Sequence, residues 1–341
     1  MFFSKNRFLG IDIGTFSIKI VELSGKGKTA TLENYGEVAI SEEANIFSKK
    51  NKGEKLRRAE DLIAKIIKSI LKETGMKTKE TFFSVPNFAN FFTNFSLPPM
   101  SEEDVESSIK YQAKKHIPLP LSEVILDWTI NKQRNEERSI SLVAVPNEII
   151  HQYQNIAALS GLEINSLEME ALSLNQLLES GGLNIIINIG FSTSSINIIE
   201  ERIVKVAYTS NFSSSHISNV LARGLNLIYN EKRVNRIKET EGMSGKNREI
   251  LSPLLDQFLN EVESALINYT GREKKEVRKI ILCGGGSLLL GLEEYIAEKW
   301  EKPTEHINIY SVKFPSKIDT MEISSIFSNA IGVALCKIKK D

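Results

Sequence analysis

Ile11–Leu23 reads IDIGTFSIKIVEL, and Ile187–Glu201 reads INIGFSTSSINIIEE. Each stretch begins with an apolar strand ending on an acidic or amide residue (Asp12, Asn188), turns on a glycine (Gly14, Gly190) and continues as a second alternating strand. The device recurs about half a chain apart. That spacing is too long for a solenoid repeat and suits two related domains, each opening with a β-hairpin. A third glycine element, IILCGGGSLLLGLEEYI (Ile280–Ile296), has the form strand, Gly284-Gly285-Gly286-Ser287 turn, helix. Glycine lets backbone N–H groups approach a ligand closely, and a helix N-terminus favours an anion. Two hairpin turns and one strand-to-helix turn can therefore converge on a phosphorylated ligand between two lobes.

The 341 residues carry 43 basic and 43 acidic side chains, so no general bias toward nucleic acid or an anionic surface is expected. A 41% hydrophobic content is enough for two or three cores. The N-terminus enters its first strand without the pattern of a signal peptide, and no apolar run reaches the length of a membrane span. The expectation is a soluble, cytoplasmic protein. Cys283 and Cys336 lack metal spacing, and His116, His151, His216 and His306 form no ligand pair, so neither a cysteine–histidine metal site nor a disulfide is expected.

The hydrophobic pattern predicts a first lobe over residues 1–80, closed by an amphipathic helix with Leu56, Ile63, Ile67 and Ile70 on one face and Gly75 at its end. Residues 81–165 read as a small α+β insertion, where Ser101 and Asp104 have the spacing of a capping box. Its aromatic run Phe88, Phe91, Phe92, Phe95 reads equally as a packed strand or as a partner surface. Residues 166–183 read as a helix connecting back to the first lobe. Residues 184–341 read as the second lobe, with a helical region at about 215–275.

LGIDIGTFSIKIVEL (Leu9–Leu23), LPPMSEEDVESSIKYQAKKHIPLPLSEVILDW (Leu97–Trp128), VAVPNEIIHQYQNIAALSGLEINSLEMEALSLNQLL (Val143–Leu178) and the GGGS turn follow one another in a familiar order. The combination resembles the actin-like ATPase superfamily and, within it, the PilM family of type IV pilus assembly proteins, relatives of the cell-division protein FtsA. The resemblance implies an α/β fold: a two-lobed actin-like ATPase (duplicated RNase H-like) fold with a small inserted α+β subdomain. It also implies ATP or ADP with Mg²⁺ as ligands.

By that resemblance, Asp12 is the first phosphate-loop carboxylate and holds Mg²⁺ through water, although an Asp here can also simply cap the turn. Gly14, Thr15 and Phe16 offer backbone N–H groups to phosphate, and Lys19 contacts it. Alone, such a lysine is more often a solvated strand residue. Gly190, Ser192, Thr193 and Ser194 form the second phosphate loop. Glu168 is placed on the connecting helix near the attacking water, or is merely a helix-start carboxylate. Gly284, Gly285, Gly286 and Ser287 form the adenosine loop, with Lys238 on the adenine side.

The sequence departs from the family pattern twice: Asn188 stands where an Asp is usual, and Asn235 where an acidic residue is expected. A neutral amide cannot supply charge for Mg²⁺ and the attacking water, so Asn188 is at most a tentative catalytic position and hydrolysis is expected to be slow. The functional expectation is a nucleotide-binding adaptor beneath the inner membrane. It would capture the N-terminal cytoplasmic tail of the membrane protein PilN and contact other platform proteins, with self-association open. Two alternatives are an FtsA-like division filament and a small-molecule kinase. The first is disfavoured because NAIGVALCKIKKD closes the chain without an amphipathic membrane helix; the second because no Asp presents itself as a base for a substrate hydroxyl.

Overall fold

The computed structural model describes residues 6–338 except 28, 135–136, 180, 229 and 272–274, and excludes the side chains at 102, 132–134, 137 and 231. The first hairpin pairs β1 (Arg7–Ile13) with β2 (Ser17–Lys26), placing Lys19 opposite Asp12. β3 (Thr29–Ala39) extends this meander, and α1 (Glu54–Thr74) crosses over to β4 (Glu80–Val85), which is parallel to β1. A separate sheet then forms from β5 (Phe91–Leu97), β6 (Val124–Arg134) and β7 (Glu137–Pro146), in the order β5-β7-β6. It is covered by α2 (Glu102–His116), whose cap is the Ser101 hydroxyl accepting from Asp104 N–H, as the capping-box spacing predicts. α3 (Asn147–Ser160), β8 (Glu163–Met169) and the short α4 (Glu170–Asn175) complete the first half.

The second half repeats the plan with β9 (Leu183–Ile189), β10 (Ser194–Glu200) and β11 (Ile203–Ser210). Three helices follow: α5 (Ser214–Gly224), α6 (Glu231–Thr240) and α7 (Gly245–Thr270). β12 (Val277–Cys283) lies parallel to β9 and leads through the GGGS turn to α8 (Leu292–Trp300) and β13 (Thr304–His306). The chain then crosses back: β14 (Val312–Lys313) pairs with β3, and α9 (Thr320–Ile326) and α10 (Ser328–Ile338) follow at 83° to each other. The sheet orders are β14-β3-β2-β1-β4-β8 and β11-β10-β9-β12-β13.

Strand alternation sorts the side chains into layers. Leu9, Ile11 and Ile13 of β1 pack under α1 and α3, while Phe8 faces the opposite way. Ile185, Ile187 and Ile189 of β9 pack under α5 and α7, while Ile186 faces the opposite way. Those opposite faces meet α4 and α10, which form one inner layer sandwiched between the two sheets. The molecule is thus five layers deep, helix-sheet-helix-sheet-helix. No single helix among the described residues is long and apolar enough to cross a membrane.

Three expected boundaries are corrected. β4, α3 and β8 belong to the first sheet and its core, so the insertion is confined to the segment from Phe91 to Pro146 rather than 81–165. Residues 163–169 are an edge strand, so the helix expected over 166–183 is reduced to α4. β14 and α10 pack on the first sheet, so the second lobe does not run to residue 341. Parallel pairing between distant strands leaves no local trace in sequence, which is why these boundaries shifted.

Candidate functional site: a cleft between the two hairpins

A cleft of about 740 Å³ opens between the lobes where both hairpins turn. The turns are matched: Gly14 N–H donates to Ser17 O and Gly190 N–H to Thr193 O, each at 3.0 Å. Their tips carry Phe16 and Phe191, whose rings stack across the cleft at 4.4 Å. The GGGS turn closes the second-lobe side. A Cβ on Gly284, at φ +81°, would fall 2.3 Å from Asn188 Oδ1 and 2.5 Å from Ile189 O, so only glycine lets this turn press against the end of β9. Lys238 donates to Ser214 and Ser218 hydroxyls at 3.3 and 3.1 Å, tying α6 to α5 along the wall.

The floor is built from two matching pairs. Asp12, near the end of β1, accepts a hydrogen bond from Asn329 at the start of α10. Asn188, near the end of β9, donates to Oε1 of Glu170, the first residue of α4, at 2.7 Å. Loop and helix thus exchange acid and amide between the lobes. Ser195 also donates to Glu170 Oε1, at 2.5 Å. From there a chain of hydrogen bonds runs through Asn197 to Asn87, at 2.9 and 2.8 Å, and Asn87 precedes the insertion. Within β5, Asn94 donates to the Val204 and Lys205 carbonyls of β11 at 3.2 and 2.9 Å, which ties the insertion to the second lobe.

Burial pushes the Asp12 carboxyl above its usual range, with Lys19 and the Asn329 hydrogen bond pulling it back. Burial also pushes Glu170 up, opposed by its bonds from Ser195 and Asn188 and reinforced by the Asp12 charge. A carboxyl raised on folding binds its proton more tightly in the folded chain. Its contribution to stability is complete below the unfolded value, about 4, and is lost as pH rises through the folded value. The ligand-free protein should therefore gain stability from these two groups as pH falls from 8 toward 5. Urea denaturation at both pH values should show a difference that shrinks when Asp12→Asn and Glu170→Gln are combined, and an unchanged difference would refute the assignment.

Asp12, Gly14, Thr15, Phe16, Lys19, Asn188, Gly190, Thr193, Ser194, Lys238, Gly284, Gly285 and Gly286 all border the cleft. Three predicted residues do not. Ser192 is exposed at the hairpin tip, and Ser287 is fully buried, its hydroxyl donating to Gly284 O at 2.7 Å to close the turn. Glu168 sits on the edge strand β8, two strands from Asp12, because β4 lies between them. Glu170, two residues later, borders the cleft instead. Glu37, Asn329, Ser214 and Ser218 also border the cleft and were not read from the sequence. For Glu170 a signal existed, since LEMEAL contains a second carboxylate of the same parity.

The cleft suits a polyanion with a hard cation. Two buried carboxylates lie at its floor, and Ser194 Oγ and Asn329 Oδ1, both buried against it, have no hydrogen-bond partner among the described residues.

Solved structures share this architecture. A chain of a PilM–PilN type IV pilus biogenesis complex is similar at TM-score 0.80 and 20% identity, covering 97% of this chain and 98% of that one. The ethanolamine utilization protein EutJ from Carboxydothermus hydrogenoformans follows at 0.57 and 15%, covering 97% of this chain and 89% of that one. MreB5 of Spiroplasma citri bound to AMPPNP matches at 0.55 and 13%, covering 98% and 97%. These likenesses establish the two-lobed actin-like ATPase fold. The family model for the type IV pilus assembly protein PilM matches residues 10–337, essentially from the first strand to the last helix, and the chain belongs to that family.

Proposed function

We propose that this protein binds ATP or ADP with Mg²⁺ in the cleft, and that its insertion holds the cytoplasmic tail of a PilN-like membrane protein at the inner face of the membrane. The observation that carries the nucleotide part is the paired floor, Asp12 with Asn329 and Asn188 with Glu170, beneath two glycine hairpins. Glu170 supplies the charge that Asn188 lacks, so Asp12 and Glu170 are the carboxylates that would hold a hydrated Mg²⁺. The ion, when bound, neutralises phosphate charge. MreB5 is known with AMPPNP and with ADP, which supports this ligand class.

The partner part is supported by the PilM–PilN complex and by the shape of the insertion. The four phenylalanines do not form one stripe. Phe91 and Phe95 pack into the insertion's core, Phe92 faces the inner layer, and Phe88 lies exposed against Phe47 at the cleft. The open feature is instead β6, an edge strand with Ile125 and Ile130 exposed, which an extended tail could extend. The hydrogen bonds from Glu170 to Asn87 and from Asn94 to β11 give nucleotide-driven movement a route to the insertion. Its effect is limited by the differential affinity of ATP for the two states.

Saturating Mg-ATP should raise the melting temperature by about 5 °C, and Asp12→Ala should remove the shift. A synthetic PilN tail should be captured by the wild type and lost with Ile125→Glu at unchanged melting temperature. Absence of any shift or heat with Mg-ATP would remove the nucleotide role, and capture unaffected by Ile125→Glu would exclude the β6 edge.

A further inference from the structure

Lys19 stands in the middle of a row that runs across three strands: Asp12 of β1 is its neighbour on one side and Glu37 of β3 on the other. Ser17, two residues before Lys19, shares that face. The Lys19 ammonium donates to Ser17 Oγ at 2.9 Å, and Ser17 Oγ donates its single proton to Glu37 Oε1 at 2.6 Å. The ammonium lies 3.6 Å from the same carboxylate oxygen, closer than charge screening allows it to ignore but longer than an N–H···O bond. Ser17 is buried, whereas the side chains of Lys19 and Glu37 are 16% and 34% exposed, and all three border the cleft.

Two anions cannot both use this lysine fully. Glu37 is anchored by Ser17, so it stays in place with or without its ion pair, and the stretched, partly solvated pair yields at small cost. A phosphate group brings more charge and more acceptor oxygens to the same ammonium. We propose that Glu37 is an internal anion that occupies Lys19 until a phosphate takes it over, and so lowers the nucleotide affinity of the cleft. The inference rests on the nucleotide reading of the cleft. It makes the lysine neither a solvated strand residue nor a freely available phosphate ligand.

Calorimetric titration of the full chain with Mg-ATP tests this in four proteins: wild type, Glu37→Gln, Lys19→Met and the double variant. Gln keeps an acceptor for the Ser17 hydroxyl, so Glu37→Gln removes charge while preserving the anchor. It should bind about fivefold more tightly than wild type, the scale of a partly exposed ion pair. In the Lys19→Met background the same change should alter affinity by less than about twofold, since the competition acts through the lysine. Unchanged or weaker binding by Glu37→Gln, with the wild type binding normally, would overturn the competitor role alone. A fivefold gain that persists without Lys19 would overturn it too, by showing general charge repulsion. No heat with any of the four proteins would sink the nucleotide reading and this inference with it.

Discussion

Gly10→Ala is expected to lower stability by about 3 kcal/mol, the upper end of overpacking costs, and the melting temperature by about 4 °C. The added Cβ would sit 1.9 Å from the Ala330 carbonyl oxygen and 2.9 Å from the Ala334 Cβ. Neither neighbour is a flexible side-chain end: one is helix backbone and the other a methyl fixed on the same helix. Either α10 lifts from β1 or β1 bends, and both movements open the inner layer that the two sheets share. Moving α10 would also drag Asn329 away from Asp12, so any nucleotide binding should fall in the same variant. Differential scanning calorimetry is the measurement. A melting temperature within a degree or so of wild type would mean that α10 does not press on the sheet as described.

Asn188→Asp should destabilise the ligand-free protein by about 2 kcal/mol, although it restores the residue more usual at this loop. Asn188 Nδ2 now donates to Glu170 Oε1 at 2.7 Å, and an Asp there would turn two carboxylates toward each other in a buried floor already near Asp12. The double variant Asn188→Asp/Glu170→Gln should recover most of the loss. It swaps acid and amide and reproduces in the second lobe the arrangement that Asp12 and Asn329 have in the first. Urea denaturation of the three variants forms a double-mutant cycle. If Asn188→Asp were neutral, or if Glu170→Gln failed to rescue it, the pair would not be coupled as the geometry indicates.

Both hairpins, the helix ended by Gly75 and the Ser101 cap were legible because each is specified within a few residues, by alternation, a glycine turn or a side-chain cap. The family was legible for the same reason, since its motifs are local and ordered. What escaped was set by contacts between distant segments. FFSV at Phe82–Val85 reads as a strand under any assignment, and only its parallel pairing with β1 places it in the first sheet rather than the insertion. INSLEMEAL carries an apolar spacing that suits a helix, yet its first part is an edge strand held by β4, and the helix starts at Glu170. That difference of two residues moved the expected carboxylate from the cleft to the sheet edge. Asn329 and Glu37 carry no local signature of a site. They border the cleft because α10 returns to the first sheet and because β3 pairs with β2.

The inner layer of α4 and α10 has a consequence for how the protein can be divided. Phe82 and Val21 from one sheet and Ile186 and Ile281 from the other contribute to a single apolar cluster with Leu174 and Ile331 of those helices. A duplicated architecture invites the picture of two autonomous modules joined by a hinge, but each half here owns only its outer core and shares the inner one. Separated, each would present one whole sheet face to water without its cover, so the repeat seen in the sequence marks ancestry and symmetry rather than independent folding units.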